Sequence, residues 1–293
     1  MKRLIALAGL ALLLSAETAG AKTILFVGNS FTYGELSPVM HYRPDIVTDL
    51  NGAGIGGVPA LFKAFAAEAG LDYDVSLETV PGVGIDYHYA NKRPLLDRRW
   101  DEVVLQTFST LDAEHSGNPA LLTTYAGKFS DMLRGQNPNV KIYLTATWSR
   151  ADMTYPSGTP WYGKPIQQMG KDVAEGYRVA AAKVPTISGV VPVGLAWNRA
   201  IDAGVADPNP YDGISAGQIN LWASDDYHAS TYGYFLEALL VFGRVTGRDP
   251  LTVGDRDRAI RELSLDPAIV RKLEQIAHDE LLSAASPPRS SNK

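Results

Sequence analysis

The sequence alternates short apolar runs with longer amphipathic stretches, which is typical of a chain that folds as successive βαβ units. Strands of a parallel sheet are buried on both faces and therefore consist of nearly continuous apolar runs. Such runs predict five strands, at residues 23–27, 74–80, 102–105, 140–146 and 189–193. Other stretches space their apolar residues as helices, at 58–69, 120–133, 167–183 and 232–245. We therefore expect an α/β protein, a three-layer α/β/α sandwich around a five-stranded parallel sheet.

Two regions interrupt this alternation and are predicted to be long loops. Residues 35–57 are rich in glycine and proline, whereas residues 149–165 contain several aromatic side chains. Long loops in α/β proteins often build a substrate pocket, although surface insertions without a function are equally common. The aromatic content of the second loop favours a binding role. Its candidate substrate-binding residues are Tyr155, Trp161 and Tyr162.

The two ends of the chain differ from the middle. Lys2 and Arg3 precede an apolar stretch at residues 4–14, and the small residues at 19–21 suit a cleavage site. Residues 1–21 are therefore predicted to be a signal peptide that exports the protein to the periplasm or the medium. Residues 285–293 are rich in serine and proline and are predicted to be a disordered tail. Residues 22–284 are expected to form one domain.

Composition excludes several classes of partner. The net charge is -5 and the basic residues are scattered, so no basic surface for nucleic acid is expected. After residue 21, no stretch offers the roughly 20 uncharged apolar residues of a membrane span, so no stable membrane anchor is expected. The chain has no cysteine, hence neither a disulfide framework nor a lipid-attachment thiol. The oligomeric state stays open.

One group of histidines and aspartates could be interpreted as a metal site. His41 and His88 lie in the same part of the sequence as Asp45, Asp49 and Asp86. Their spacing does not match a known metal-ligand pattern. We expect no metal and no other cofactor.

The strongest local signal is a predicted buried strand followed directly by Gly28, Asn29 and Ser30. Ligands of open α/β sheets bind at the carboxyl ends of the strands, so Ser30 lies where chemistry is expected. A nucleophilic serine also needs an adjacent base, a group that orients this base, and donors for the oxyanion. The alternative is that Ser30 only caps a helix.

Candidate bases are few, because the chain has five histidines. Two of them lie three residues after an aspartate, as Asp112 with His115 and Asp225 with His228. A short loop could bring both groups of either pair to a serine. The spacing alone does not choose between the two pairs.

Residues 28–32, Gly-Asn-Ser-Phe-Thr, resemble the first block of the SGNH/GDSL hydrolases, Gly-Asp-Ser-Leu-Thr. Residues 225–228, followed by Gly233, Tyr234 and an apolar helix, resemble the final Asp-x-x-His block of that family. The resemblance extends over about residues 23–245. It implies the flavodoxin-like SGNH hydrolase fold and a triad of Ser30, Asp225 and His228.

The middle blocks of the family are matched less well. The resemblance implies that the N–H groups of Ser30 and of a glycine form the oxyanion hole, and Gly82 suits this role better than Gly84. The third family block supplies an asparagine side chain, but this chain has Gln106 at the end of the predicted strand. Gln106 carries the same amide one methylene further out and is predicted to donate to the oxyanion. The alternative is a purely structural glutamine.

The resemblance predicts a carboxylic ester hydrolase that works through an acyl-enzyme. Its partner would be a small-molecule or glycan ester. A polar loop with Tyr155, Trp161 and Tyr162 suits sugar faces better than acyl chains, which favours a carbohydrate O-acetylesterase. The alternatives are a lipolytic esterase or lysophospholipase, and a non-catalytic carbohydrate-binding protein on the same fold.

Overall fold

The computed structural model describes residues 20–254 and 258–285. Most of the predicted signal peptide and residues 286–293 of the predicted tail lie outside these ranges. Ala285, the first residue of the predicted tail, is the last residue of a helix instead. Among the described residues, no helix combines the length and the apolar character needed to cross a membrane.

The described residues form one sheet of six parallel strands. The strands are β1 (Lys22–Gly28), β2 (Thr48–Asp49), β3 (Tyr73–Thr79), β4 (Glu102–Leu105), β5 (Lys141–Ala146) and β6 (Ile187–Pro192). Their order is β2-β3-β1-β4-β5-β6. The predicted parallel α/β sandwich is confirmed, but the predicted count of five strands is wrong. The additional strand β2 lies inside the predicted loop 35–57, and its two polar residues give no apolar run.

Helices cover both faces of the sheet. They are α1 (Ser30–Tyr33), α2 (Gly57–Glu68), α3 (Ile85–Asn91), α4 (Arg93–Leu96), α5 (Ala120–Gln136), α6 (Gln167–Lys183), α7 (Val193–Asp202), α8 (Thr231–Thr246), α9 (Arg258–Glu262) and α10 (Pro267–Ala285). One core lies between the sheet and α2, α7, α8 and α10, and a second core lies between the sheet and α3 to α6. These two cores make the three layers.

Strand β1 shows why the apolar runs are continuous. Ile24 and Phe26 point into the first core, whereas Leu25 and Val27 point into the second. All four side chains are at most 1 % exposed. Successive side chains of a strand point to opposite faces, so a strand covered on both sides needs apolar residues at every position.

The centre of the sheet brings three strand ends together. Strand β1 lies between β3 and β4, and the chain moves to one side of β1 before it returns to the other. Loops that leave such a reversal point in opposite directions open a crevice at the carboxyl edge of the sheet. Gly28, the last residue of β1, has no room for a side chain, because an added Cβ would lie 2.2 Å from Thr32 Oγ1. The chain can therefore turn sharply after β1.

Candidate active site

The turn after β1 presents Ser30 as the first residue of α1. Asn29 caps this short helix, since its Oδ1 accepts a hydrogen bond from the Phe31 N–H at 3.1 Å. The Asn29 Nδ2 donates to Val83 O at 2.9 Å and to Thr107 O at 3.3 Å. The interpretation of Ser30 as a simple cap is therefore wrong, because Asn29 performs that role. Asn29 instead connects the turn at residues 28–32 to the loops after β3 and β4. We call this turn the nucleophile turn, because it carries the candidate nucleophile Ser30.

Gln106 at the end of β4 is part of the same turn. Its Oε1 accepts from the Asn29 N–H at 3.0 Å and from the Thr32 hydroxyl at 3.1 Å. Its Nε2 donates to Thr107 O, and the side chain is 1 % exposed. The predicted oxyanion role of Gln106 is wrong, because its longer side chain folds back into the protein. Gln106 holds the turn that carries Ser30.

The loop between α7 and α8 contains Asp225 and His228. Asp225 Oδ1 accepts from the N–H groups of Tyr227 and His228, at 3.2 and 2.9 Å. Asp225 Oδ2 lies 2.6 Å from His228 Nδ1. Partial burial raises the pKa of the Asp225 carboxyl, but the hydrogen bonds from His228 and Tyr227 outweigh it and hold the pKa below its usual value. An ionised Asp225 places the proton of a neutral imidazole on Nδ1 and leaves Nε2 as the acceptor.

His228 Nε2 is buried and has no hydrogen-bond partner within the described part of the chain. Phe31, the neighbour of Ser30 in sequence, packs against the His228 ring with 5.5 Å between ring centroids. The Tyr234 hydroxyl donates to Ser30 O at 3.2 Å, so α8 also holds the nucleophile turn. Hydrogen bonds between a nucleophile and its base are often long before substrate binds. The structure thus pairs Asp225 with His228 and packs this pair against the Ser30 turn.

Aromatic rings fix the orientation of the imidazole. Tyr227 packs on His228 with 4.1 Å between ring centroids, and Phe31 packs on Tyr227 at 5.2 Å. Trp148 lies 4.4 Å from Phe31, stacks on Trp197 at 4.7 Å, and donates its indole N–H to Tyr227 O at 3.2 Å. Such pairs add stability beyond the area they bury. Together they leave the His228 ring little freedom.

The other Asp-x-x-His pair lies at the surface. The His115 side chain is 71 % exposed, and its Nδ1 lies 3.7 Å from Asp112 Oδ1. Asp112 Oδ1 accepts instead from the N–H groups of Glu114 and His115, both at 2.8 Å. The ring of His115 is therefore mostly exposed to solvent, and its contact with Asp112 is longer than a hydrogen bond.

The loop after β3 contains the two candidate glycines. Gly82 is exposed and has a φ of +70°, which favours glycine. Gly84 is buried, and an added Cβ would lie 2.5 Å from the Phe108 ring. The bond from Asn29 Nδ2 to Val83 O at 2.9 Å brings this loop to the nucleophile turn. The loop with Gly82 and Gly84 therefore lies next to the turn that carries Ser30.

The three aromatic residues of the loop 149–165 have different environments. Trp161 is 3 % exposed and donates its indole N–H to Asp172 at 2.8 Å, so it is a core residue and its predicted contact with substrate is wrong. Tyr162 is 56 % exposed. The Tyr155 hydroxyl donates to Pro208 O at 2.8 Å, and its ring packs against Tyr211. The Tyr155–Pro208 contact joins residues that are 53 positions apart in the sequence, so the periodicity of the sequence does not predict it.

Arg150 was not predicted as a site residue. Its guanidinium lies 3.7 Å from the centroid of the Tyr227 ring and bonds both carboxylate oxygens of Asp152, at 2.9 and 2.5 Å. A cation over an aromatic face is attracted by the ring electrons. The position of Arg150, shortly after the end of β5, is the sequence signal that could have identified it.

Comparisons with known proteins concern the fold. No protein-family model matches the sequence, and no curated protein matches it. A DUF4886 family protein from Bacteroides uniformis has 17 % identity and a TM-score of 0.59, with 89 % of this chain and 95 % of that chain covered. A protein from Parabacteroides merdae, provisionally described as a GDSL-like lipase, has 18 % identity and a TM-score of 0.54, with 78 % and 96 % covered. One from Slackia heliotrinireducens, provisionally described as an SGNH hydrolase, has 20 % identity and a TM-score of 0.50, with 77 % and 100 % covered.

These similarities extend over nearly the whole length of each solved structure. At this level of identity they show a common fold and no more. The chain has the fold of the SGNH hydrolases.

Proposed function

We propose that this chain, which has the SGNH hydrolase fold, is a serine esterase that hydrolyses carboxylic esters through an acyl-enzyme. The single observation that carries the proposal is the Asp225–His228 pair, with 2.6 Å between Oδ2 and Nδ1. The other ring nitrogen of His228 is unpartnered among the described residues, and the ring packs beside the turn that carries Ser30. An oriented base with a free acceptor is what a serine nucleophile requires.

In the proposed reaction, His228 Nε2 takes the proton of the Ser30 hydroxyl as Ser30 Oγ attacks the ester carbonyl. The bond to the leaving alcohol then breaks, and His228 returns the proton to that alcohol. Water attacks the acyl-enzyme with His228 again as the base, which releases the acid and free Ser30. Asp225 stabilises the imidazolium in both steps.

The oxyanion of each tetrahedral intermediate needs donors that are already in place. We assign this role to the backbone N–H groups of Ser30 and Gly82. Each such donor typically lowers the barrier by about 3 kcal/mol. Gln106 acts indirectly, because it holds the Asn29 N–H and the Thr32 hydroxyl and so orients the turn.

The proposed substrate is an O-acetylated carbohydrate outside the cell. The charged and apolar start of the sequence supports export, and the half-exposed ring of Tyr211 beside Tyr155 supports a sugar-binding rim. The second candidate is a lipolytic esterase, which is favoured by the similarity to the Parabacteroides merdae protein. Rates on 4-nitrophenyl acetate and octanoate separate the two, since a strong preference for octanoate would exclude the acetylesterase.

The test of the nucleophile is the intact mass of the protein after treatment with an active-serine phosphonate. Wild type should gain one adduct, and Ser30→Ala should gain none, because only a serine activated by His228 reacts quickly. His115→Ala serves as a folded control and should gain the adduct like wild type. If wild type stays unmodified, or if Ser30→Ala is modified equally, the proposal fails and a non-catalytic carbohydrate-binding protein is the better interpretation.

A further inference from the structure

Three side chains lie next to the loop that carries the Asp225–His228 pair. We define the tyrosine rim as Tyr155, Tyr211 and Asp226. Tyr211 is 50 % exposed, and its ring centroid lies 5.8 Å from that of Tyr155. Partial burial and the nearby Asp226 and Asp152 carboxylates raise the pKa of Tyr211 to about 12. The rim thus combines an exposed aromatic face with a carboxylate.

The backbone conformation explains why the consecutive carboxylates of Asp225 and Asp226 contact different residues. Asp226 has a φ of +56°, in the left-handed region that few residues other than glycine adopt. Its carbonyl oxygen accepts from the Ala151 N–H at 3.0 Å, which fixes the peptide in this conformation. Asp225 bonds His228. The Tyr155 N–H donates to Ala151 O at 3.0 Å, so Ala151 connects Asp226 to Tyr155 and to the Tyr211 ring that packs on it. Strained backbone of this kind is concentrated at functional sites.

Two loops that are distant in sequence are joined to build the rim. The Tyr155 hydroxyl donates to Pro208 O at 2.8 Å and is therefore not free to bind a ligand. The Tyr155 ring instead supports the ring of Tyr211. The hydroxyl of Tyr211 lies near the Asp226 carboxylate, whose charge contributes to the raised pKa of Tyr211. The parts of the rim left for a ligand are one face of the Tyr211 ring and the remaining acceptor positions of the Asp226 carboxylate.

The charges around the rim select the class of ligand. Asp152, Asp225 and Asp226 are close enough that the first two raise the pKa of the third, after the larger effect of burial. The nearby guanidinium of Arg150 is already bonded to Asp152. An anionic ligand would therefore be repelled, whereas a neutral polyol could donate to Asp226. A sugar ring offers both an apolar face for Tyr211 and hydroxyl groups for Asp226.

We propose that the tyrosine rim binds a neutral sugar ring of the alcohol part of the ester, with the ring stacked on Tyr211 and its hydroxyls donating to Asp226. This inference rests on the proposed esterase function and defines its substrate as an acyl ester of an uncharged sugar. The ester carbonyl then lies at Ser30, and the sugar leaves past Asp225.

The experiment compares an acetylated disaccharide of neutral sugars with 4-nitrophenyl acetate, whose alcohol part is not a sugar. Tyr211→Ala should lower the ratio of kcat/KM for the sugar ester to kcat/KM for the nitrophenyl ester about tenfold, mainly through KM. Tyr211→Phe keeps the ring and should keep most of this ratio. Because Tyr211 is half exposed, both variants should fold, which thermal unfolding verifies. Tyr162→Ala removes a similarly exposed ring outside the rim and tests the other predicted substrate-binding residue as the competing position for the sugar.

Three results would overturn the proposal. The first is an unchanged ratio in Tyr211→Ala while the nitrophenyl ester is still hydrolysed, which would leave the esterase intact but remove the rim. The second is a fall of the ratio in Tyr162→Ala and not in Tyr211→Ala. The third is a preference for an acetylated uronic acid over its neutral counterpart. If wild type hydrolyses neither ester, the proposed function itself fails, and the subsite with it.

Discussion

The two Asp-x-x-His turns of this chain have the same backbone hydrogen bonds and different side-chain environments. In each turn, one aspartate oxygen accepts from the N–H groups two and three residues later, in Asp112–His115 as in Asp225–His228. The His115 side chain is 71 % exposed, whereas that of His228 is 9 % exposed. The carboxylate and the ring nitrogen are 3.7 Å apart in the first turn and 2.6 Å in the second.

The difference shows that the local motif forms the turn but does not place the imidazole. Both aspartates satisfy backbone donors, which any sequence of this type can do. The imidazole of His228 packs against Phe31, which comes from the turn after β1, and against the adjacent Tyr227. Tyr227 is itself held by two residues distant in sequence, since Phe31 packs on its ring and the Trp148 indole donates to its carbonyl oxygen. A histidine becomes a candidate base here through tertiary packing, and spacing in the sequence only makes it available.

The largest effect that distinguishes the two turns is expected when each histidine is replaced by alanine. His228→Ala should lower kcat for 4-nitrophenyl acetate by about 10⁴- to 10⁶-fold, because loss of the base disables the nucleophile. His115→Ala is the matched control and should keep wild-type activity. Steady-state kinetics of the two variants give the answer. Equal activity of His228→Ala and wild type would contradict the assignment of the base.

Packing around His228 can be tested without touching a reacting group. Phe31→Leu keeps an apolar side chain but loses the flat ring against His228, and kcat should fall about tenfold as the imidazole gains freedom. Phe62→Leu is a matched control in the core, where Phe62 packs on Phe26 and Tyr73. Each change removes part of a buried ring and should cost roughly 1–3 kcal/mol of stability. Equal activity losses in the two variants would show that general destabilisation, and not local packing, sets the rate.

The smallest effect is expected for stability in acid. Hydrogen bonds lower the pKa of Asp225 and of Asp112 below the usual value of 3.8, so each ionised carboxylate stabilises the folded state above that pH. The contribution is lost as the pH falls through the lowered pKa. Asp225→Asn and Asp112→Asn should therefore lower Tm at pH 7 by no more than about 4 °C, because partly exposed pairs contribute about 0–1 kcal/mol.

As the pH falls through the lowered pKa values, the Tm values of both variants should approach that of wild type, since the wild-type carboxylates become protonated. Asp225→Asn should show the larger difference at pH 7, because Asp225 also bonds the His228 side chain. A constant difference between variant and wild type from pH 3 to pH 7 would contradict this account.

The fold could be predicted from sequence where a residue's role depends on its own strand or helix. Strand β4 (Glu102–Leu105) and helix α6 (Gln167–Lys183) have the predicted bounds, because both cores demand apolar residues at regular intervals. Strand β2 was missed because two polar residues at an edge pair only through their backbone. Its partners in β3 are Ser76 and Leu77.

Parts of the candidate site depend on contacts that spacing does not encode. Gln106 has the amide of an oxyanion donor, but the absence of a Cβ at Gly28 lets that amide fold against the turn. Trp161 has an aromatic side chain of the kind that stacks on sugars, but its hydrogen bond to Asp172 on α6 holds it in the core. Tyr211 lies in a polar loop without periodicity and gains a role only through Tyr155 and Asp226.

The stacked indoles of Trp148 and Trp197 have an optical consequence. Two indoles that are 4.7 Å apart and only 5° from parallel couple their electronic transitions, so their near-ultraviolet circular dichroism depends on their mutual orientation. Trp148 also contacts Phe31 and bonds Tyr227 O, which places one chromophore of the pair against the nucleophile turn and the histidine loop. If the proposed acylation of Ser30 displaces either loop, the ellipticity should change, so the indole pair would report formation of the proposed acyl-enzyme without a label.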